Sequence, residues 1–237
     1  MQRWRPGHTL SKGEGLSMED TTHIHSMTDP LLEQVTGTQW VGVKFLKHLP
    51  TGFDCVRSDT MRFCQAVRQA RSGTVCLSPE TICCEGARRA FGWMKGKDNA
   101  LALKLSEKSG MNGDRAQELV RQVPALGYPY PGIRVGICAN PDVLVTYVQP
   151  EAAMRLVRLW ETTMGHNLRV DVSSIMAVCG NAVVKAYMNQ SISISFGCPD
   201  SRQYGGIQPE EMVIAVPTGL LDHFEGVVNR GSAPSSE

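Results

Sequence analysis

The stretches Ser78-Pro-Glu-Thr-Ile-Cys-Cys-Glu-Gly-Ala87 and Ser173-Ser-Ile-Met-Ala-Val-Cys-Gly-Asn-Ala182 decide how this chain is read. In each, a serine stands six residues before a cysteine, Cys84 or Cys179, and small residues follow. Working outward, the two halves predict the same order of elements. In the first, Trp40–Leu46 reads as a strand and Met61–Ala70 as a helix, because Met61, Phe63, Cys64 and Val67 fall on one side. Thr74–Leu77 is a short strand. Ser78 then reads as an N-cap with Pro79 at the first helical position, where its missing N–H costs nothing. Leu101–Leu105 is a further strand candidate, and Arg115–Val123 a helix before a connector rich in Pro and Gly. In the second half, Asp142–Val148 reads as a strand, Met154–Trp160 as a helix and Leu168–Val172 as a strand. Ser173 or Ser174 caps a helix through Met188, and Ser191–Phe196 alternates as a strand should.

Repetition of this kind predicts an α/β (or α+β) fold of two pseudo-repeated α/β lobes forming one compact unit. The alignment sets Cys84-Glu-Gly-Ala87 against Cys179-Gly-Asn-Ala182, and Met61-Arg62 against Met154-Arg155 with two residues inserted. Chance similarity of two helical hairpins is the competing reading. If the halves are related by a two-fold, equivalent residues meet near its axis, so Cys84 and Cys179 are expected at the seam. Residues 1–28 read as a disordered extension and 29–226 as one domain. Its lobes run over about 38–123 and 133–217, and 227–237 form a disordered tail.

Composition narrows the function. The 237 residues are 42% hydrophobic and 20% charged, ordinary values for a globular chain. With 24 Lys plus Arg against 23 Asp plus Glu, the net charge of +1 lacks the basic excess needed to coat nucleic acid or an anionic membrane. No apolar run approaches the roughly 18–20 residues that span a bilayer, and the N-terminus lacks the apolar stretch of a secretory signal. A cytoplasmic location is expected. In that reducing setting the 8 cysteines read as core thiols, metal ligands or a catalytic thiol, not as a disulfide framework. Phosphate-loop, dinucleotide-loop, His-Glu-x-x-His and Gly-x-Ser-x-Gly motifs are absent from the sequence.

Taken in order, six segments resemble domain-of-unknown-function family 169, the uncharacterised ArCR proteins. They are Trp40-Val-Gly-Val-Lys44, Arg62-Phe-Cys-Gln65, Cys84-Glu-Gly-Ala87, Cys179-Gly-Asn-Ala-Val183, Phe196-Gly-Cys-Pro-Asp-Ser-Arg202 and Glu210-Glu-Met-Val-Ile-Ala-Val-Pro217. The resemblance covers roughly residues 30–226 and implies no particular activity. It does single out Cys64, Cys84, Cys179 and Cys198, leaving Cys55, Cys76, Cys83 and Cys138 as optional.

Four thiols, two from each half, are the number that closes a tetrahedral zinc site or a [4Fe–4S] cluster. Their separations of 20, 95 and 19 residues contain no tight Cys-x-x-Cys knuckle. Dispersed ligands suit a cluster better than a zinc finger, so a cluster ranks first, zinc second and a metal-free protein third. Core packing accounts equally well for Cys64, Cys84 and Cys179. Cys198 is harder to explain that way, because it follows a strand in the turn Gly197-Cys-Pro-Asp-Ser-Arg202. Arg202 and Tyr204 are the candidate catalytic groups on the substrate side, Tyr204 in a flap ending Gly205-Gly206. The expected partner is a small-molecule ligand or a redox partner. Two other readings stay open: a metal-free module for an anionic metabolite, and a thiol enzyme with Cys198 as nucleophile.

Overall fold

The structure is a computed structural model that describes residues 30–49, 61–94 and 96–231. The expected N-terminal extension, and Cys55, lie outside these residues. Six strands build one sheet in the order β2-β3-β1-β4-β6-β5, every neighbouring pair antiparallel. They are β1 (Val41–Leu46), β2 (Thr74–Leu77), β3 (Gly132–Gly136), β4 (Val143–Val148), β5 (Ser193–Ser195) and β6 (Met212–Pro217). A wholly antiparallel sheet covered by helices makes this an α+β protein.

The two halves share one strand order. In each, the first strand lies at the centre, the third beside it and the second at the edge. The halves join where β1 pairs β4, with Val41 opposite Val145 and Val43 opposite Val143. An approximate two-fold through that seam exchanges β1 with β4, β2 with β5 and β3 with β6.

Alternation along the strands gives each face its own core. Val43, Phe45, Val135, Val145, Tyr147 and Val213 point to one face and pack against α2 (Phe63–Gln69), α3 (Glu85–Ala90) and a π-helical segment (Cys179–Val184) that runs into α7 (Lys185–Asn189). Leu144, Val148, Ile214 and Val216 point the other way. They are covered by α1 (Pro30–Thr36), α6 (Pro150–Met164) and α9 (Leu221–Gly231). Two further helices, α4 (Asp98–Ser109) and α5 (Gly113–Gln122), form a hairpin around a small cluster of Ala102, Ala116 and Val120. The remaining α-helix, α8 (Pro199–Gly205), follows β5.

Several expectations change. Leu101–Leu105 is not a strand but the middle of α4, where Leu103 is 60% exposed. Its Leu-x-Leu-x-Leu alternation imitates a strand while the helix buries only Ala102. Leu168–Val172 alternates too, yet pairs with no strand. Ser78 closes a turn through a hydrogen bond from its N–H to the Thr81 hydroxyl, 2.8 Å, and the helix starts only after Cys84. The helix expected from Ser173 or Ser174 begins at Cys179, in π form. Helix α9 extends order to residue 231, into the stretch read as a tail.

The register of the repeat also changes. Helix α6 packs on the far face, and Met154 on it is 56% exposed, so Met154-Arg155 does not correspond to Met61-Arg62. The strand order instead matches α2, between β1 and β2, with the helical segment between β4 and β5. It likewise matches α3 with α8. Cys64 thus corresponds to Cys179 and Cys84 to Cys198. Three residues before the first pair stand Met61 and Met176.

Candidate functional site

Each of the four cysteines lies at the start of a helical segment. An isolated parallel bridge between Met61 and Ile82, with Cys83 N–H donating to the Met61 carbonyl at 3.1 Å, aligns the beginnings of α2 and α3. Cys64 then falls in the first turn of α2, and Cys84 takes the N-cap of α3 in an extended conformation. Cys179 opens the π-helical segment, where Gly180 and Asn181 both donate to the Met176 carbonyl, at 2.9 and 3.0 Å. Two hydrogen bonds to one carbonyl, the second spanning five residues, with Met176 at φ +44°, bring the chain into a π turn. Cys198 is the N-cap of α8. Its N–H donates to the Ser201 hydroxyl at 2.7 Å, and Pro199 fills the first helical position.

The four elements cross in symmetric fashion, α2 packing on α8 and α3 on the π-helical segment. Their cysteines therefore converge. Cys64, Cys84, Cys179 and Cys198 all line one cavity of about 610 Å³ beneath the α4–α5 hairpin. Backbone amides surround the sulfurs. Gln65 N–H faces Cys64, Gly86 and Ala87 face Cys84, Gly180 faces Cys179 and Ser201 faces Cys198.

The electrostatics report the same proximity. Burial pushes the Cys64 thiol up to about 12, and the neighbouring Cys198 and Cys84 add to the effect. Burial also raises Cys84, with Asp200 and Cys198 contributing, and lifts Cys179 well above the ordinary range, with Cys84, Cys198 and Cys64 contributing. At neutral pH these three are uncharged thiols. Together they become thiolates only if a strong positive centre enters among them. Among the described residues, no three His, Cys, Asp or Glu side chains stand close enough to hold a single metal ion. The thiols share a cavity and a field without forming a one-ion knot.

The remaining cysteines stand apart in role. Cys138 is buried beside Gly42, and Cys83 is exposed. Cys76 is disulfide-bonded, at odds with the fully reduced set expected of a reducing compartment. Arg202 and Tyr204, the candidate substrate-side groups, do not line the cavity. The Arg202 guanidinium donates to the carbonyls of Gln208, Phe196 and Glu211, at 2.6, 2.7 and 3.1 Å, and so braces the turn after α8. The Tyr204-Gly205-Gly206 stretch is no flap. It ends α8, Gly206 supplying the left-handed cap at φ +69° and Gly205 lying tight against Cys64.

The charged residues that do reach the cavity are Arg62, Lys104, Lys108, Glu85 and Asp200. Arg62 had a signal in the sequence, its place two residues before Cys64. The lysines did not, because they sit on a helix misread as a strand.

The profile of domain-of-unknown-function family 169, described as uncharacterised ArCR, matches residues 36–226. The chain belongs to this family. A relative in Methanocaldococcus jannaschii, the uncharacterised protein MJ0308, is 28% identical over 228 residues, covering 88% of this chain and 97% of the relative. No solved structure matches the chain. Among the described residues, no helix is long and apolar enough to cross a membrane.

Proposed function

We propose that this protein holds a [4Fe–4S] cluster on Cys64, Cys84, Cys179 and Cys198, for redox or Lewis-acid chemistry on a small molecule. One observation carries the reading: four thiols from four separate helical starts, two per half, face one cavity. The cluster, when bound, would supply an electron or an electrophilic iron. The chain's own residues do the rest. The sulfurs act as anchors, and the amides of Gln65, Gly86, Ala87, Gly180 and Ser201 lower the cost of keeping them as thiolates. Phe63, Ala87 and Val178 give the cavity one apolar wall.

The test is anaerobic purification or reconstitution, followed by visible absorption and assays for iron and acid-labile sulfide. A brown protein with about four of each per chain supports the reading. Colourless, iron-free protein after reconstitution overturns it. Zinc bound stoichiometrically in place of iron would replace the cluster with the second-ranked group. The metal-free reading is favoured by one feature, the raised thiols, which need no charge compensation when the cavity holds no metal.

A further inference from the structure

The two-fold relates two edges of the cysteine cavity, and these edges differ in chemistry. At one edge the Met176 side chain packs over Gly86, so closely that a Cβ there would lie 2.7 Å from Met176 Cγ. Ala177 and Val178 beside it are buried. This edge is sealed and apolar. At the other edge, counting from the matched cysteines, Arg62 stands in the place of Ala177 and Asp200 in the place of Gly86. An ion pair replaces an apolar contact, and its side chains are 29% and 39% exposed.

Arg62 is held in an unusual way. Its Cζ lies 4.0 Å from the centroid of the Tyr204 ring, which fixes the guanidinium plane. Only Nε reaches Asp200, at 3.4 Å, and Nη1 lies 3.9 Å from the sulfur of Cys83. No described carboxylate takes the Nη1–Nη2 edge, the pair of donors that matches an oxyanion. Across the cavity Glu85 is paired with Lys104, and Lys108 makes no ion pair among the described residues. The cavity volume lies inside the roughly 300–1,000 Å³ of small-molecule sites. An inorganic core of eight atoms would fill only part of it.

We infer that the Arg62 edge binds a small molecule bearing a carboxylate or phosphate group, taken by the Nη1–Nη2 edge of Arg62 with Lys108 adding charge across the cavity. Tyr204 is then a positioning residue that acts through Arg62. The inference rests on the proposed reading of this cavity as the functional site, though not on which metal occupies it.

Calorimetric titration of the full chain, iron-loaded and metal-free, with malonate and with inorganic phosphate at fixed ionic strength tests it. Wild type binds at least one anion; malonate alone indicates a carboxylate ligand, and phosphate alone a phosphate ligand. Arg62→Gln weakens binding roughly tenfold or more. Arg62→Lys, which keeps charge but not the fork, weakens it too, and Lys108→Gln does so less. Tyr204→Ala lowers affinity and Tyr204→Phe restores it. Should Arg62→Gln misfold, Arg62→Lys and the exposed Lys108→Gln carry the comparison. Wild type that binds neither anion, or folded Arg62 variants that bind as wild type does, overturns the inference. Iron retained without anion binding counts against this inference alone. Anion binding without iron supports it and counts against the cluster alone.

Discussion

The two halves of the sheet repeat one strand order but wear different covers. On the cavity face the match is close: one cysteine-bearing helical start before the edge strand and one after it, 20 residues apart in the first half and 19 in the second. On the opposite face the halves part. The second half is sealed by α1, α6 and α9 around Leu144, Leu156, Ile214 and Phe224. Over the first half the corresponding strand positions hold Gly42, Lys44 and Leu46, and Arg134 between two glycines. Among the described residues, the first half places its additional helices in the α4–α5 hairpin over the cavity instead. What the halves hold in common is therefore the face that presents the thiols, and what differs is structural cover. The shared geometry lies at the cysteines, while the unshared parts differ in the cover they give to the sheet.

The largest predicted effect breaks the match between halves. Cys→Ser at any of positions 64, 84, 179 or 198 lowers bound iron from about four per chain to near zero, whereas Cys83→Ser and Cys138→Ser leave it unchanged. Iron assay after anaerobic reconstitution reads the result. If only one half's pair matters, the symmetric cradle is wrong.

Next comes the difference between covers. Leu144→Ala, on the sealed face, is expected to cost about 2–5 kcal/mol in urea unfolding. Leu46→Ala, at a half-buried position in the first half, should cost clearly less. Equal losses would mean that both outer faces are sealed alike.

A smaller contrast separates two glycines packed close to the cysteine cavity. Gly205→Ala would place a Cβ 2.8 Å from Cys64 Cβ and 3.3 Å from its carbonyl oxygen, atoms fixed to α2. The expected cost is about 1–3 kcal/mol, with a weakened cluster. Gly86→Ala meets the flexible Met176 side chain, which can turn aside, and should cost less. Thermal unfolding of the two variants decides the order.

The smallest effect concerns pH in the metal-free chain. Cys64 is raised by burial from 9.0 to about 12 in the folded state, so the folded chain holds its proton more tightly than the unfolded chain. Stability from this group is fully present below about pH 9 and is lost as pH rises toward 12. Cys64→Ala should flatten the alkaline fall in melting temperature. An unchanged slope would mean that Cys64 is not held neutral by burial.

Much of the fold was legible where side-chain period and strand ends agree. Thr74–Leu77 is a strand with the bounds read from sequence, and Trp40–Leu46 and Asp142–Val148 differ by a single residue at the start. Strand β3 was hidden by its glycines, since Gly136, at φ +126°, lies where a side chain would strike the Gly73 backbone. Helix α8 was hidden because Pro199, Asp200 and Ser201 carry the signature of a turn and of a helix start alike. The four cysteines were legible as a group, but their pairing was not. Local similarity set Cys84 against Cys179, and only the strand order revealed Cys64 with Cys179 and Cys84 with Cys198. Arg62 was marked by its place two residues before Cys64, but its pairing with Asp200 was not, and Lys108 had no signal, because these places follow from how α2, α4 and α8 cross.

The most direct measurement is Mössbauer spectroscopy of the ⁵⁷Fe-reconstituted chain beside its Cys64→Ser and Cys198→Ser variants. The account predicts a cubane signal in the wild type that is lost or altered in both. A wild-type chain that takes up no iron under conditions that load known cluster proteins would contradict it.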